Sequence, residues 1–377
     1  EVRAADLERI AAEGVGDLLD HLHDQGINPP LIVGEFFDAN TGLLKGWVDG
    51  VLANMDEDTK QTITVKVFDF ALRDALKNAS DAFGYDVRNV FNSGLVDGGS
   101  GATGFQSVTF LNNHDFREPG TGIQNDPMLG YAYLLTNNQV GLPSVFYPDY
   151  FGIPIPSGPT VNLSAPINEL IRIQKDYIVG SSSVDYLSRF NTPYSQSFTS
   201  GFPNTTLLYQ LQNTPTGHDV IVAINYAGEA LVLEQGVNTN SAGLANGQML
   251  VELTNNSGSP NPVVANGRLQ LQVPARSYAV WVADEAVSTQ GETWTNEKLV
   301  KVAPNPAKEK IQLYDGGWKS GDATVECIDI SGKVAWSTNQ AIVASTPIEL
   351  NVSALVPGTY LVQIRQGAAV VGSVKLV

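Results

Sequence analysis

Two acidic residues in this sequence each stand where a short apolar run ends. Leu31, Ile32, Val33 and Gly34 lead into Glu35, and Val108, Thr109, Phe110 and Leu111 lead into Asn112, Asn113, His114 and Asp115. A pair of carboxylates carried at strand ends is the minimum equipment for cleaving a glycosidic bond: one carboxyl protonates the leaving oxygen, and a carboxylate steadies the positive charge that develops on the sugar ring. Phe36 and Phe37 follow Glu35 directly. An apolar neighbourhood raises a carboxyl pKa by desolvation, which suits a group that must donate a proton at neutral pH, and aromatic faces stack on sugar rings. His114 and Asn113 supply hydrogen bonds for sugar hydroxyls. Blander readings fit the same residues: Glu35 capping a loop or pairing with an arginine, Phe36 or Phe37 as ordinary core, and Asn112 to Asp115 as a polar turn or a calcium site of short carboxylates.

Strands must position these groups, and both apolar runs are rich enough in β-branched and aromatic residues to be covered on two faces, as in parallel sheets. Helices are expected between them. Residues 4–25 carry a stripe of Leu7, Ile10, Val15, Leu18, Leu19 and Leu22, with Gly26 as the stop. His21 and His23, two positions apart on that helix, point in different directions and make a poor metal pair. Phe68, Asp69 and Phe70 end a further strand, and Leu72, Ala75, Leu76 and Ala79 stripe the helix after it. Gly94 to Gly101 lacks the Gly-Lys-Ser/Thr of a phosphate loop and reads as a flexible connection. Asp126 is placed to cap a helix that has Pro127 at its first position. Gly141 to Tyr147 is expected as a fourth strand, covered by a helix over Ile167 to Lys175.

Four segments in this order resemble the α-amylase family, glycoside hydrolase family 13. Val33-Gly34-Glu35-Phe36-Phe37-Asp38 is similar to the segment carrying the family's general acid, and Phe110-Leu111-Asn112-Asn113-His114-Asp115 to its Asn-His-Asp segment. Val65 to Phe70 and Gly141 to Asp149 resemble its sixth and eighth barrel strands. The resemblance covers residues 1 to about 285. It implies strands 5 to 8 of a (β/α)8 barrel, with catalytic groups at the C-terminal strand ends. It implies Glu35 as general acid and base, Asp115 as the carboxylate stabilising the transition state, and His114 beside it as a hydrogen-bond donor to a sugar hydroxyl. The family's nucleophile is an Asp in an Arg-x-Asp segment ahead of the acid, at roughly 5 Å from it. Here Arg3-Ala4-Ala5 has Ala5 at the Asp position and Asp6 one residue later. The expectation is a chain cut just after the nucleophile and inactive on its own, with a degenerate match in which Asp6 substitutes for the nucleophile as the alternative. Calcium is implied by the family, with ligands mostly outside this chain, so no metal ligand is assigned.

Composition bounds the partners. Among 377 residues the hydrophobic share is 43%, there is one cysteine, Cys327, and the formal net charge is −17. That charge disfavours nucleic acid and anionic membranes, whereas a neutral sugar polymer meets no such repulsion. One cysteine permits no internal disulfide. No apolar run reaches the eighteen or so residues of a membrane span. From about residue 180 short alternating runs take over: Thr206–Leu211, Val220–Tyr226, Leu231–Leu233, Leu269–Val273 and Tyr278–Val282. They predict an antiparallel β-sandwich over 181–285, with His218 in a surface turn. Residues 286–302, polar and Thr-rich, read as a linker. The module over 303–377 opens with Ala303-Pro304-Asn305-Pro306-Ala307 and ends with Ser373-Val374-Lys375-Leu376-Val377. It resembles the C-terminal sorting domain of the type IX secretion system, with a small carbohydrate-binding sandwich as the alternative.

The expected architecture is therefore an α/β partial barrel over residues 1–180 followed by two all-β sandwich domains. The expected function is secreted or surface-attached hydrolysis of α-1,4 bonds in starch-like α-glucans, with the type IX machinery as a second partner. The alternative is a non-catalytic carbohydrate-binding surface protein of the same fold.

Overall fold

The structure, a computed structural model, describes residues 4–27, 31–259, 261–284, 300–314, 318–329, 333–344, 346–356, 358, 360–367 and 369–376, with 4–11 given by backbone alone. The expected linker falls mostly on 285–299, outside the described residues. Two compact units are present, Glu1–Thr289 and Gln290–Val377.

The first unit begins with helix α1 (Ala4–Asp24) and strand β1 (Ile32–Gly34), then α2 (Thr41–Ala53), α3 (Glu57–Thr62) and β2 (Val65–Phe68). It continues through α4 (Phe70–Asp81), β3 (Ser107–Thr109), α5 (Pro127–Thr136), β4 (Leu142–Pro143), α6 (Tyr147–Phe151) and α7 (Ser164–Ile173). The four strands form one parallel sheet in the order β1-β2-β3-β4. Pairing of Val33 with Lys66, and of Val108 with Phe68 and Leu142, puts these residues on one face. The opposite face holds Val65, Val67, Ser107 and Thr109, all buried. The first face is more open: Leu142 is exposed, and Val33 and Phe68 are half-buried.

Local chemistry explains the helices. Asp69 accepts the amide of Leu72 at 2.9 Å, capping α4, whose Leu72, Ala75, Leu76 and Ala79 stripe is buried as the spacing predicts. Asn40 caps α2 by accepting the amides of Gly42 and Leu43. In α1 the stripe is narrower than expected, since Leu19 is buried while Leu18 is exposed. His21 is exposed, and the half-buried His23 sits 3.2 Å from the Thr62 hydroxyl. Asp126 precedes α5 in a left-handed conformation (φ 45°) without a side-chain cap bond, and its Oδ2 instead takes Arg276 Nε at 2.5 Å.

Some boundaries differ from expectation. Phe110 and Leu111 are buried but lie beyond β3. The strand expected over Gly141 to Tyr147 shrinks to Leu142–Pro143, because the chain winds into α6 with a proline in its first turn. The helix expected from Ile167 starts at Ser164, and a π-helical turn follows it over Gln174–Ile178. Gly94 to Gly101, read as a flexible connection, is tied down: the Leu95 amide donates to Asp69 Oδ2 at 2.8 Å, and Tyr186 Oη donates to Asp97 Oδ2 at 2.5 Å.

The rest of this unit is antiparallel. Strands β5 (Ser183–Asp185), β6 (Gln196–Ser200), β7 (Thr206–Gln212), β8 (Val220–Asn225), β9 (Leu231–Gly236), β10 (Leu250–Glu252), β11 (Arg268–Val273) and β12 (Ser277–Ala283) form two sheets. Their orders are β10-β12-β8-β7-β5 and β11-β9-β6. A single core joins them to α4, α5 and α7, running from Leu76, Leu134 and Leu170 to Tyr209, Val222 and Trp281.

The second unit has its own core and two antiparallel sheets. Strands β13 (Lys301–Ala303), β14 (Lys310–Tyr314) and β17 (Ile348–Asn351) make one; β15 (Gly321–Asp329), β16 (Val334–Ile342), β18 (Tyr360–Gln366) and β19 (Ala369–Leu376) make the other. Trp318 is buried and donates its Nε1 to Val343 O at 3.2 Å, and Trp336 packs half-buried against the core. Cys327 is buried between strands, and burial pushes its thiol up to about 11.

Candidate active site

Glu35 leaves the end of β1, and Asn112 to Asp115 leave the end of β3. One strand lies between, so the two ends are separated by about 10 Å of sheet, at roughly 4.8 Å per strand. Asn113 spans that distance. Its Nδ2 donates to Glu35 Oε1 at 3.2 Å, and its Oδ1 accepts the Asp115 amide at 3.1 Å. His114 Nε2 lies 3.6 Å from Asp115 Oδ1. Arg117, which the sequence reading passed over, donates Nη2 to Asp115 Oδ1 at 3.2 Å and Nε to the His114 carbonyl at 3.1 Å. Two acids, an amide, an imidazole and a guanidinium thus meet at one end of the sheet.

Gly34 sets the exit of β1. A Cβ built there would lie 2.1 Å from the Trp47 ring of α2, so only glycine lets that indole press against the strand just before Glu35. The two phenylalanines then separate. Phe36 is half-buried against the core containing Leu44, Val65 and Val67. Phe37, 67% exposed, rests on Phe70 and Phe116 with ring centroids 4.7 and 6.3 Å away. Glu35 itself is exposed. The burial expected from its aromatic neighbours is therefore not found, because one ring turns inward and the other lies on the Phe70–Phe116 surface.

The segment after β3 is braced from behind by groups that sequence reasoning missed. Asn112 is buried, donates Nδ2 to Asp149 Oδ2 at 2.9 Å and accepts the Ile123 amide at 3.2 Å. Tyr131 of α5 donates to the same Asp149 oxygen at 2.7 Å and accepts the Phe146 amide at 3.2 Å. Burial pushes the Asp149 carboxyl up, and the Asn112 and Tyr131 bonds pull it back. Arg73 of α4, also buried, donates Nε to Leu111 O at 3.0 Å and Nη2 to Thr121 O, and its guanidinium lies 3.7 Å from the Phe116 ring centroid. Leu111 and Phe116 bracket Asn112 to Asp115, so Arg73 holds both ends of that segment.

Asp69, at the end of β2 between the two acids, is taken up by structure. It is fully buried, and its oxygens accept the Leu72 and Leu95 amides. Burial pushes its carboxyl up to about 6, partly opposed by those two bonds. Ala5 and Asp6 belong to the residues given by backbone alone, so their side chains lie outside the described set. Among the described residues no group of three or more His, Cys, Asp or Glu is arranged to hold a metal ion. The calcium implied by the resemblance has no ligands assigned here.

Comparison with known proteins bears on this arrangement. Residues 301–377 match the family model described as secretion system C-terminal sorting domain. The α-amylase of Geobacillus stearothermophilus is 26% identical over 294 residues, covering 74% of this chain and 47% of that protein. The glucan 1,4-alpha-maltohexaosidase of Bacillus sp. (strain 707) is 27% identical over 273 residues, covering 71% of this chain and 46% of that protein. The chain thus spans about half the length of the curated relatives it matches. Among solved structures, an Anoxybacillus α-amylase aligns over 73% of this chain and 56% of its own, at 12% identity and a TM-score of 0.46. No helix among the described residues is long and apolar enough to cross a membrane. The chain is accordingly similar to the α-amylases over about three quarters of its length, and it carries at residues 301–377 a type IX sorting domain, which directs it to the cell surface or beyond.

Proposed function

We propose that this chain is the acid-bearing half of a secreted retaining glycosidase acting on α-1,4 bonds of starch-like α-glucans. In this reading β1 to β4 are strands 5 to 8 of a (β/α)8 barrel. The antiparallel strands of residues 181–285 are the sandwich domain behind it. The observation that carries the proposal is the Asn113 amide joined to Glu35 Oε1 and to the Asp115 backbone, which links two acids from different strands. Glu35 protonates the leaving oxygen and later takes a proton from the attacking water. Asp115 faces the charge that develops on the ring, where a fixed carboxylate acts more strongly than on the neutral ground state. His114 and Asn113 hydrogen-bond ring hydroxyls, and Phe37 offers an exposed face for stacking.

The half-open face of the parallel sheet, with Val33, Phe68 and Leu142, is the surface that four further strands would cover. On its own the chain is expected to release no sugar from soluble starch. Joined to a polypeptide that supplies four preceding strands and a strand-end Asp, it is expected to hydrolyse starch. Glu35→Gln should then lower the rate by about 10²- to 10⁴-fold, the usual worth of a general acid. Sugar release by the chain alone that Glu35→Gln abolishes would contradict the half-barrel reading. The exposure of Glu35 and the pairing of Asp115 with Arg117 favour a second reading, a non-catalytic carbohydrate-binding surface protein. That reading predicts starch binding without hydrolysis in both the chain and the joined polypeptide.

A further inference from the structure

Helix α4 carries Arg73, Lys77 and Asp81 four positions apart, so their side chains line one side of the helix over about 12 Å. That side meets the loop that leaves Asp115 and leads to α5. Arg73 holds the loop at Thr121 O, and the next two residues along the helix grip what surrounds it. Lys77 Nζ donates to Gly120 O at 2.9 Å, to Gly122 O at 2.7 Å and to Asp81 Oδ2 at 2.9 Å. Asp81 in turn accepts the amides of Gln124 and Asn125 at 3.0 and 2.9 Å, and Asn125 Nδ2 at 3.0 Å.

An ammonium has three N–H donors and no acceptor, and here three oxygens answer them. Two backbone carbonyls and a carboxylate are the kind of donor set that a hard metal cation takes. In this loop the set is filled by the chain's own positive charge. It is partly withdrawn from water, the Lys77 side chain being 23% exposed and that of Asp81 15%. Burial pushes the Asp81 carboxyl up, but Lys77 and the Gln124 and Asn125 amides outweigh it and hold the group below the usual carboxylate range. Lys77 therefore faces an ionised partner at neutral pH.

A short path joins this cage to the acids. Gly122 fits closely against Asn112, since a Cβ there would lie 3.0 Å from Ser157 O and 3.3 Å from Asn112 Oδ1. Its neighbour Ile123 donates its amide to the same Asn112 Oδ1, and Asn113, His114 and Asp115 follow Asn112 directly. From Arg117 to Asp126 the buried residues are Gly122 and Ile123, so the course of this loop depends on polar bonds more than on apolar packing.

We propose that Lys77 is a positioning residue for the Asn113 to Asp115 segment, its ammonium serving as an internal cation that gathers Gly120, Gly122 and Asp81 and so fixes the loop behind the acids. The link to sugar binding rests on the functional reading above; the internal cation does not.

Hydrogen–deuterium exchange of the full chain, followed in peptides over residues 116–126, tests it. Lys77→Ala should speed exchange of this segment at least tenfold and leave the strands over 206–225 and 268–283 unchanged. Propylammonium, which returns the missing cation on its three-carbon stem, should restore most of the protection, and propanol should not. Lys77→Met, which keeps the stem and loses the charge, should exchange as fast as Lys77→Ala and gain nothing from propylammonium. Calorimetric binding of maltoheptaose should be at least threefold weaker in Lys77→Ala and recover with propylammonium. Unchanged exchange in Lys77→Ala, or equal recovery with propylammonium and propanol, overturns the internal cation. Faster exchange throughout the chain in both variants overturns it too, since Lys77 would then hold the fold and not the loop. Faster exchange of 116–126 with undiminished binding overturns the positioning role. If wild type binds no maltoheptaose, the functional reading falls, and the exchange results alone decide for or against the internal cation.

Discussion

Three acids end three neighbouring strands, and their surroundings sort them. Glu35 and Asp115 stay accessible and share Asn113, whereas Asp69 is sealed between them by the amides of Leu72 and Leu95. Asp69 has a measurable signature. Its folded carboxyl keeps a proton up to about pH 6, against 3.8 for the ordinary group. Between those values the folded state binds more protons than the unfolded one, so this residue makes stability fall as pH rises through the window, by about 3 kcal/mol in all. Urea unfolding of wild type and Asp69→Asn at pH 4 and pH 6.5 should therefore differ: the variant should lose less stability, or gain more, over that interval. Equal changes would place the proton elsewhere. The acids at strand ends were legible in the sequence because an apolar run stopping at a carboxylate is a local pattern. Arg73, Tyr131 and Asp149 were not, since their partners lie tens of residues away, as with Arg73 and Leu111 or Asp149 and Asn112.

At the scale of elements, helices position what strands deliver. α4 sends Arg73 to Leu111, Thr121 and Phe116, and α5 sends Tyr131 to Asp149. Arg73→Met keeps most of the aliphatic volume but removes the donor of the buried Leu111 carbonyl and of the half-buried Thr121 carbonyl, at a cost of about 2 kcal/mol. Urea denaturation should register that loss, and glucan binding at the acids should weaken with it as the segment between Leu111 and Phe116 loosens. Unchanged stability would show that Arg73 is not the brace. The stripe of α4 was readable from Leu72, Ala75, Leu76 and Ala79. That of α2 was not singled out, because Gly42, Gly46 and Gly50 dilute the pattern of Leu44, Val48 and Val51, all three of which are buried. β4 was overestimated because Val145, Phe146 and Tyr147 suit a strand by composition, while the Pro148 that follows starts a helical turn.

At the scale of the whole molecule, two cores mean two separable tasks. The unit over Gln290–Val377 has its own buried set around Val325, Cys327, Val362 and Ile364, and it contains the sorting domain. Removing residues 290–377 should leave the first unit with a cooperative unfolding transition of its own, because its buried clusters are separate from that of the second unit. In a host with type IX secretion, the shortened chain should be retained inside the cell. Export of the shortened chain would contradict the assignment of sorting to this unit.

The central claim is that Glu35 and Asp115 act on one sugar ring. A double-mutant cycle tests it most directly, using calorimetric binding of a protonated amino-sugar oligosaccharide that mimics the charged ring to the full chain. The account predicts that Glu35→Gln and Asp115→Asn each weaken binding about tenfold or more, and that the double variant departs from the product of the two losses. Binding unaffected by either substitution, or losses that simply multiply, would contradict it.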